Sequence, residues 1–211
     1  MKKILALVLS FALCSCATMY TTLTENLNLL TENTLELSYK GEAYQLPLKD
    51  GAAYYVYEYT VPNIGADTLY SVTRLVMPDI FNSAESVIQM EDSNLKTIVG
   101  KGKQTETFTF PYGGTTIHNI FYTLRIQCYD NKIKISVYNF SSQVPYSFGY
   151  ASGTTSVSIE DAVTRGVNGK REILDNGYGA FIFAVYNTGN DVINIFINTA
   201  EKYLQENFNI E

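Results

Sequence analysis

The amino-acid sequence predicts an α+β fold: an antiparallel sheet in the order strand, helix, four strands, helix, with both helices packed on one face. Three observations carry that prediction. Residues 105–140 alternate apolar and polar side chains through three successive segments, the period of a half-buried strand. Asp130-Asn131 separates the second segment from the third, and a two-residue turn between clean alternations closes a tight hairpin. Two amphipathic stretches, 67–81 and 191–207, repeat their apolar residues at helical spacing.

Taken in order, the chain begins with a targeting segment. Lys2 and Lys3 form a charged start, and Ile4–Leu13 is an apolar run of signal-peptide rather than membrane-spanning length. Leu13-Cys14-Ser15-Cys16 resembles the bacterial lipobox, which implies removal of residues 1–15 and lipidation of Cys16; the alternative is an ordinary secreted protein cut near Ala17. Residues 16–50 are expected to be a polar tether with one short strand near Thr34–Tyr39, and 51–211 the folded domain.

Ala53–Val61 is rich in Tyr and Val and suits a pleated, half-buried strand. Asp67 is placed to cap a helix over 66–77, with Leu69, Val72, Val76 and Ile80 as its apolar stripe. Pro78 should kink that helix before a last turn to Phe81, because it lacks an N–H and crowds the preceding turn. Ser86–Glu91 and Lys96–Lys103 form a hairpin around Asp92-Ser93-Asn94, followed by Thr105–Phe110, Thr116–Tyr129 and Lys132–Phe140. Residues 141–158 read as loop, 159–174 as weakly helical, and 178–186 as an apolar run that is either strand or helix. Gly189-Asn190 then opens the last helix.

The chain of 211 residues, 46% hydrophobic, is long enough to bury a core without disulfides or metal. Losing Lys2 and Lys3 with the signal takes 15 basic residues to 13 against 21 acidic ones, and the net charge from −6 to −8. A net acidic chain without a basic run lacks the footprint of a DNA- or RNA-binding protein. Of three cysteines one leaves with the signal and one takes lipid, so Cys128 stands alone, on the apolar face of its strand, as a small core residue.

Chemistry is sparse. With one His and scattered acids no metal set emerges, and Glu91-Asp92-Ser93-Asn94 lacks the alternating ligands of a calcium loop. Gly100-Lys101-Gly102-Lys103 has no Walker spacing and no helix after it; its glycines are expected to mark a bulge or to admit the helix 67–81. His118 is expected at an exposed strand end. No cofactor is expected. Tyrosine is the one feature with functional reach, since it joins apolar area to a hydroxyl; Tyr55, Tyr57 and Tyr59 are the candidate partner-binding residues.

The helix 69–81, SVIQMED at 86–92 and TIVGKG at 97–102, in the order strand, helix, meander, helix, resemble the domain of unknown function 4468, a family with a TATA-binding-protein-like fold. The resemblance covers about 53–140 well and 190–207 by helix pattern; Pro78-Asp79 and the long 141–189 link depart from it. It implies an envelope protein of Bacteroidota and supplies no catalytic residues. A TATA-box reader needs a basic sheet, which this acidic chain is not expected to have, so no nucleic-acid partner is expected. The expectation is a palmitate-bearing outer-membrane lipoprotein facing the periplasm, a non-enzymatic module for another envelope protein, a peptide or a glycan. An envelope hydrolase with an unrecognised carboxylate pair is the alternative, and a structural subunit of a larger complex the third reading.

Overall fold

The alternating segments of the sequence become the long central strands of one antiparallel sheet. The computed structural model describes residues 27–30, 33–81, 88–109, 114–148, 151–174 and 176–208. Along the chain stand β1 (Leu27–Leu29), β2 (Asn33–Tyr39), β3 (Glu42–Lys49), β4 (Ala52–Ala53), β5 (Tyr55–Thr60), α1 (Ala66–Ile80), β6 (Ile88–Asp92), β7 (Thr97–Thr109), β8 (Thr115–Tyr129), β9 (Lys132–Phe148), β10 (Ala151–Val157), α2 (Ile159–Gly166) and α3 (Gly177–Phe208). The main sheet runs β1-β5-β9-β8-β7-β6, with β10 paired to β9; β2-β3-β4 form a second, smaller sheet. The meander β6 to β9 follows the predicted order, except that the two expected segments Lys96–Lys103 and Thr105–Phe110 are one continuous strand, β7; the β8–β9 turn closes at Asn131, which adopts φ 64°.

Register fixes the buried face. Ile98 pairs with Ile126 and Ile126 with Ile135, while Tyr55, Tyr57 and Tyr59 stand opposite Val137, Ile135 and Ile133. Helices α1 and α3 cover this face, burying Leu69, Val72, Val76, Phe181, Val185 and Phe196 against it. Each such side chain contributes on the order of 2 kcal/mol by leaving water.

The start of α1 is capped from a distance. The Ala66 N–H donates to Asp130 Oδ1 in the β8–β9 turn, at 2.9 Å, and Gly65 holds the N-cap position. Asp67, expected to be the cap, instead pairs with Lys96. Pro78 falls in the last turn, where it forfeits one bond, and the helix continues to Ile80.

Two expectations are corrected outright. Within the expected tether, 16–50, residues 33–49 are not tether but the paired strands β2 and β3: they pair along seven positions and bury Leu37 and Leu46, and Tyr44 packs edge-on against Phe183 and Tyr186 of α3. β1 joins the edge of the main sheet beside β5. Of the expected 141–158 loop, residues 141–148 are instead the second half of β9 and 151–157 are β10, because a bulge at Asn139 (φ 56°) shifts the inward face from Val137 to Phe140 and Ser142.

Helix α3 unites the apolar run and the expected C-terminal helix in 32 residues. It is long and apolar enough to cross a membrane by length and composition, yet Phe181, Ile182, Val185, Val192 and Phe196 are core residues here. Gly189, expected to open a helix, sits inside this one because an added Cβ would stand 2.5 Å from Tyr55 Cζ and 2.8 Å from Cδ2.

Candidate functional site

The three tyrosines singled out by the sequence lie on the covered face, not on an open one. Tyr55 is 1% exposed and 5.7 Å from the Phe140 ring; its hydroxyl has no hydrogen-bond partner among the described residues. Tyr59 is 5% exposed and donates to Glu201 Oε1 of α3 at 2.5 Å. Tyr57 is half-buried against the same core. Burial lifts the pKa of all three hydroxyls, and the Glu201 carboxylate adds to it at Tyr59. Inward-facing by register, these residues join sheet to helix. Cys16 lies outside the described residues.

His118 is likewise not a surface residue. It is 1% exposed, stacks on Phe181, and its Nδ1 lies 3.0 Å from Ser142 Oγ; burial pushes its pKa down. Cys128 is the core residue expected of it, with Sγ 3.4 Å from Thr73 Oγ1 and its thiol pushed up to about 11 by burial. Of the glycine pair in β7, Gly100 faces the β6 bulge, and Gly102 makes room for the Tyr122 ring of β8, which would lie 2.5 Å from an added Cβ; that ring, rather than α1, is its nearest neighbour.

The other face of the main sheet is where charge collects. Side chains alternate across a strand, so the register places Lys134, Gln127 and Thr97 in one row of this face, Ser136, Arg125 and Val99 in the next, and Tyr138, Thr123 and Lys101 in a third. Phe121 and Lys103 form the row beyond. The short Ser136 and Thr123 are buried beside longer neighbours; Lys101 and Lys103 are exposed, and Arg125 and Lys134 half-buried. By register Glu58 and Asp92 are acids of this face: Glu58 stands opposite Lys134 and bonds Lys132 at 3.0 Å, and Asp92 accepts from the N–H groups of Asn94 and Leu95. Lys101, Lys103, Arg125 and Lys134 form no ion pair among the described residues, and Arg125 Nε is buried without a partner there.

At the β5 edge this face meets a cleft of about 350 Å³ between the two sheets. Leu30, Leu48 and Val56 give it apolar walls, and Lys49, Asp50 and Lys134 its charges. Tyr54, also in its lining, packs 5.3 Å from Tyr138, and Lys49 Nζ sits 5.1 Å over the Tyr54 ring. Such a cleft, with aromatic surface and two ammonium groups, suits an amphiphilic anion. The sequence carried its signal: Lys101 and Lys103, like Lys132 and Lys134, alternate at strand period and so gather on one face without forming a basic run.

No cluster of three metal-ligating side chains occurs among the described residues. A second cleft, of about 240 Å³, brings Asp50 and Glu160 to its lining beside Ser158. Both acids are exposed, which is not the apolar setting a general acid needs.

Comparison with known proteins agrees with the topology. Residues 55–143, under half of the chain, match the family described as a domain of unknown function (DUF4468) with TBP-like fold. The structure is similar to a TBP-like protein from Parabacteroides distasonis, at TM-score 0.57 and 17% identity, over 74% of this chain and 97% of that one. It is also similar to a DUF4468 family protein from Bacteroides ovatus, at TM-score 0.60 and 15% identity, over 74% of this chain and 90% of that one. No curated protein matches. The fold is TBP-like.

Proposed function

We propose that the chain is a member of this family and a lipid-anchored protein of the cell envelope, attached through Cys16 to the periplasmic side of the outer membrane, whose role is to bind rather than to catalyse. The binding surface is the open face of the main sheet with the cleft at its β5 edge. One observation carries this reading: four cationic side chains that form no ion pair among the described residues stand on the sheet face that no described helix covers, next to a cleft with an aromatic wall. Tyr55, Tyr57 and Tyr59 have no part in it, being turned toward α3.

The anchor is tested by metabolic labelling with a palmitate analogue. Wild-type protein should take up label and partition with membranes, and Cys16→Ala should lose both. Equal labelling of the two would refute the anchor. The hydrolase reading retains one location, the Asp50–Glu160 cleft; a hydrolytic activity abolished by Glu160→Gln would favour it over ours.

A further inference from the structure

We propose that the open sheet face, with its flanking cleft, rests on an anionic lipid surface and takes lipid phosphates between its lysine and arginine side chains. This deepens the binding role proposed above and rests on it for the location of the protein at a membrane. Same-face neighbours in a sheet are about 7 Å apart along a strand and about 5 Å apart across strands, so Lys101, Lys103, Arg125 and Lys134 share a patch roughly 20 Å long and about 10 Å wide. That is the scale of a few lipid headgroups.

The chain as a whole is acidic, with net charge −6. A cationic face on an acidic body orients the molecule: the face is drawn to a negative surface and the rest is repelled from it. The face also has the amphipathic make-up of an interfacial layer. Exposed Met90 and Ile117 share it by register with Val99 and Thr107, and Lys132 Nζ lies 5.5 Å over the Tyr129 ring. Lysine stems on aromatic surface, with the ammonium leading, are how such side chains settle at a lipid boundary. Arg125 adds a half-buried guanidinium charge to the patch.

Placement of the N-terminus is compatible. β1 lies at the β5 edge of the same sheet, beside the cleft, and Leu27 follows Cys16 by 11 residues, a reach of about 35 Å when extended. A lipid on Cys16 can therefore enter the bilayer that the face touches.

Every described element lies within 27–208, so a chain of residues 17–211 keeps the described fold and lacks the lipid. That chain is mixed with phosphatidylcholine vesicles with or without phosphatidylglycerol, and co-sedimentation is measured. It should sediment with the anionic vesicles alone, and less as salt is raised. Lys101→Glu/Lys103→Glu/Lys134→Glu should weaken partitioning about a hundredfold, at roughly fivefold or more per lysine near an anionic surface. Lys170→Glu/Lys202→Glu, exposed charge reversals off this face, should weaken it far less. If thermal unfolding shows the triple variant misfolded, the single Lys103→Glu variant must still lower partitioning.

Equal sedimentation with both vesicle types, equal losses in the two variant sets, or tighter binding to duplex DNA than to anionic vesicles would overturn the proposal. Because residues 17–211 lack Cys16, the two readings fail separately. Loss of the palmitate result leaves vesicle binding untouched, and loss of vesicle binding leaves the anchor standing.

Discussion

Replacing Gly189 by alanine sets two opposed effects against each other, and the structure says which wins. In a helix interior alanine is favoured over glycine by about 1 kcal/mol, so propensity alone makes the change stabilising. The new methyl, however, would lie 2.5 Å from Tyr55 Cζ and 2.8 Å from Cδ2, well inside normal contact. Tyr55 is 1% exposed, with Phe140 at 5.7 Å, so the ring cannot swing into solvent; the helix or the sheet must move. Overpacking of this kind costs about 1–3 kcal/mol, and a contact this short belongs at the upper end. The net expectation is a loss of about 2 kcal/mol, read as a lower urea midpoint at unchanged slope. In a Tyr55→Leu background the ring is gone, and Gly189→Ala should become neutral or stabilising by up to about 1 kcal/mol. The coupling between the two sites would then be about 2–3 kcal/mol. A stabilised Gly189→Ala single variant, or the same effect in both backgrounds, would refute the close approach of α3 to β5.

Alkali should unfold the protein early. Tyrosines whose pKa is raised by folding stabilise the fold fully below the unfolded value near 10, and that stability is lost as pH rises through the folded value. Tyr122, pushed up to about 12 by burial, contributes about 1.4 kcal/mol per pH unit over that interval, with Tyr55 and Tyr59 adding in the same direction. Urea midpoints of Tyr122→Phe should therefore fall less steeply than those of wild type between pH 10 and 12, and parallel slopes would contradict the burial of this ring. Cys128, its thiol held at about 11, should resist a disulfide reagent at pH 8 until urea unfolds the chain; rapid labelling of the native protein would show that the α1–β8 packing is wrong.

The meander and α1 were legible because single side chains settled them: Asp130-Asn131 set the turn, and the alternation of Ile133, Ile135 and Val137 set the face. The alternation fails at Asn139, where one extra residue in β9 moves the inward position to Phe140. A period-two reading stops there and calls the remainder loop, although the backbone pairing runs on to β10. Gly189-Asn190 misleads for a related reason. Glycine is a local signal for a helix boundary, but at this position its cause is a ring 134 positions earlier in the chain, which no local rule can see. The same holds for Asp67, whose capping role passed to Asp130 across the fold.

The candidate site was hidden by averaging rather than by distance. A net charge of −6 sums over two faces that the fold separates, and a search for a basic run asks for neighbours in sequence. In a strand, residues that face the same way are two apart, so a cationic sheet face is written as alternating lysines and never as a run. Lys101 and Lys103 flank Gly102, which is buried with the Tyr122 ring against its backbone; Lys132 and Lys134 flank Ile133, which is buried in the core. The alternation that hides the patch from a composition count is thus the alternation that builds the core. Tyrosine content misdirected the search in the opposite sense. Tyr55, Tyr57 and Tyr59 are in phase with Ile133, Ile135 and Val137 across β5 and β9, which assigns them to the covered face once the pairing is known. For this sheet, phase relative to the apolar set tells more about which residues can meet a ligand than residue type does, and by that criterion the lysines lead.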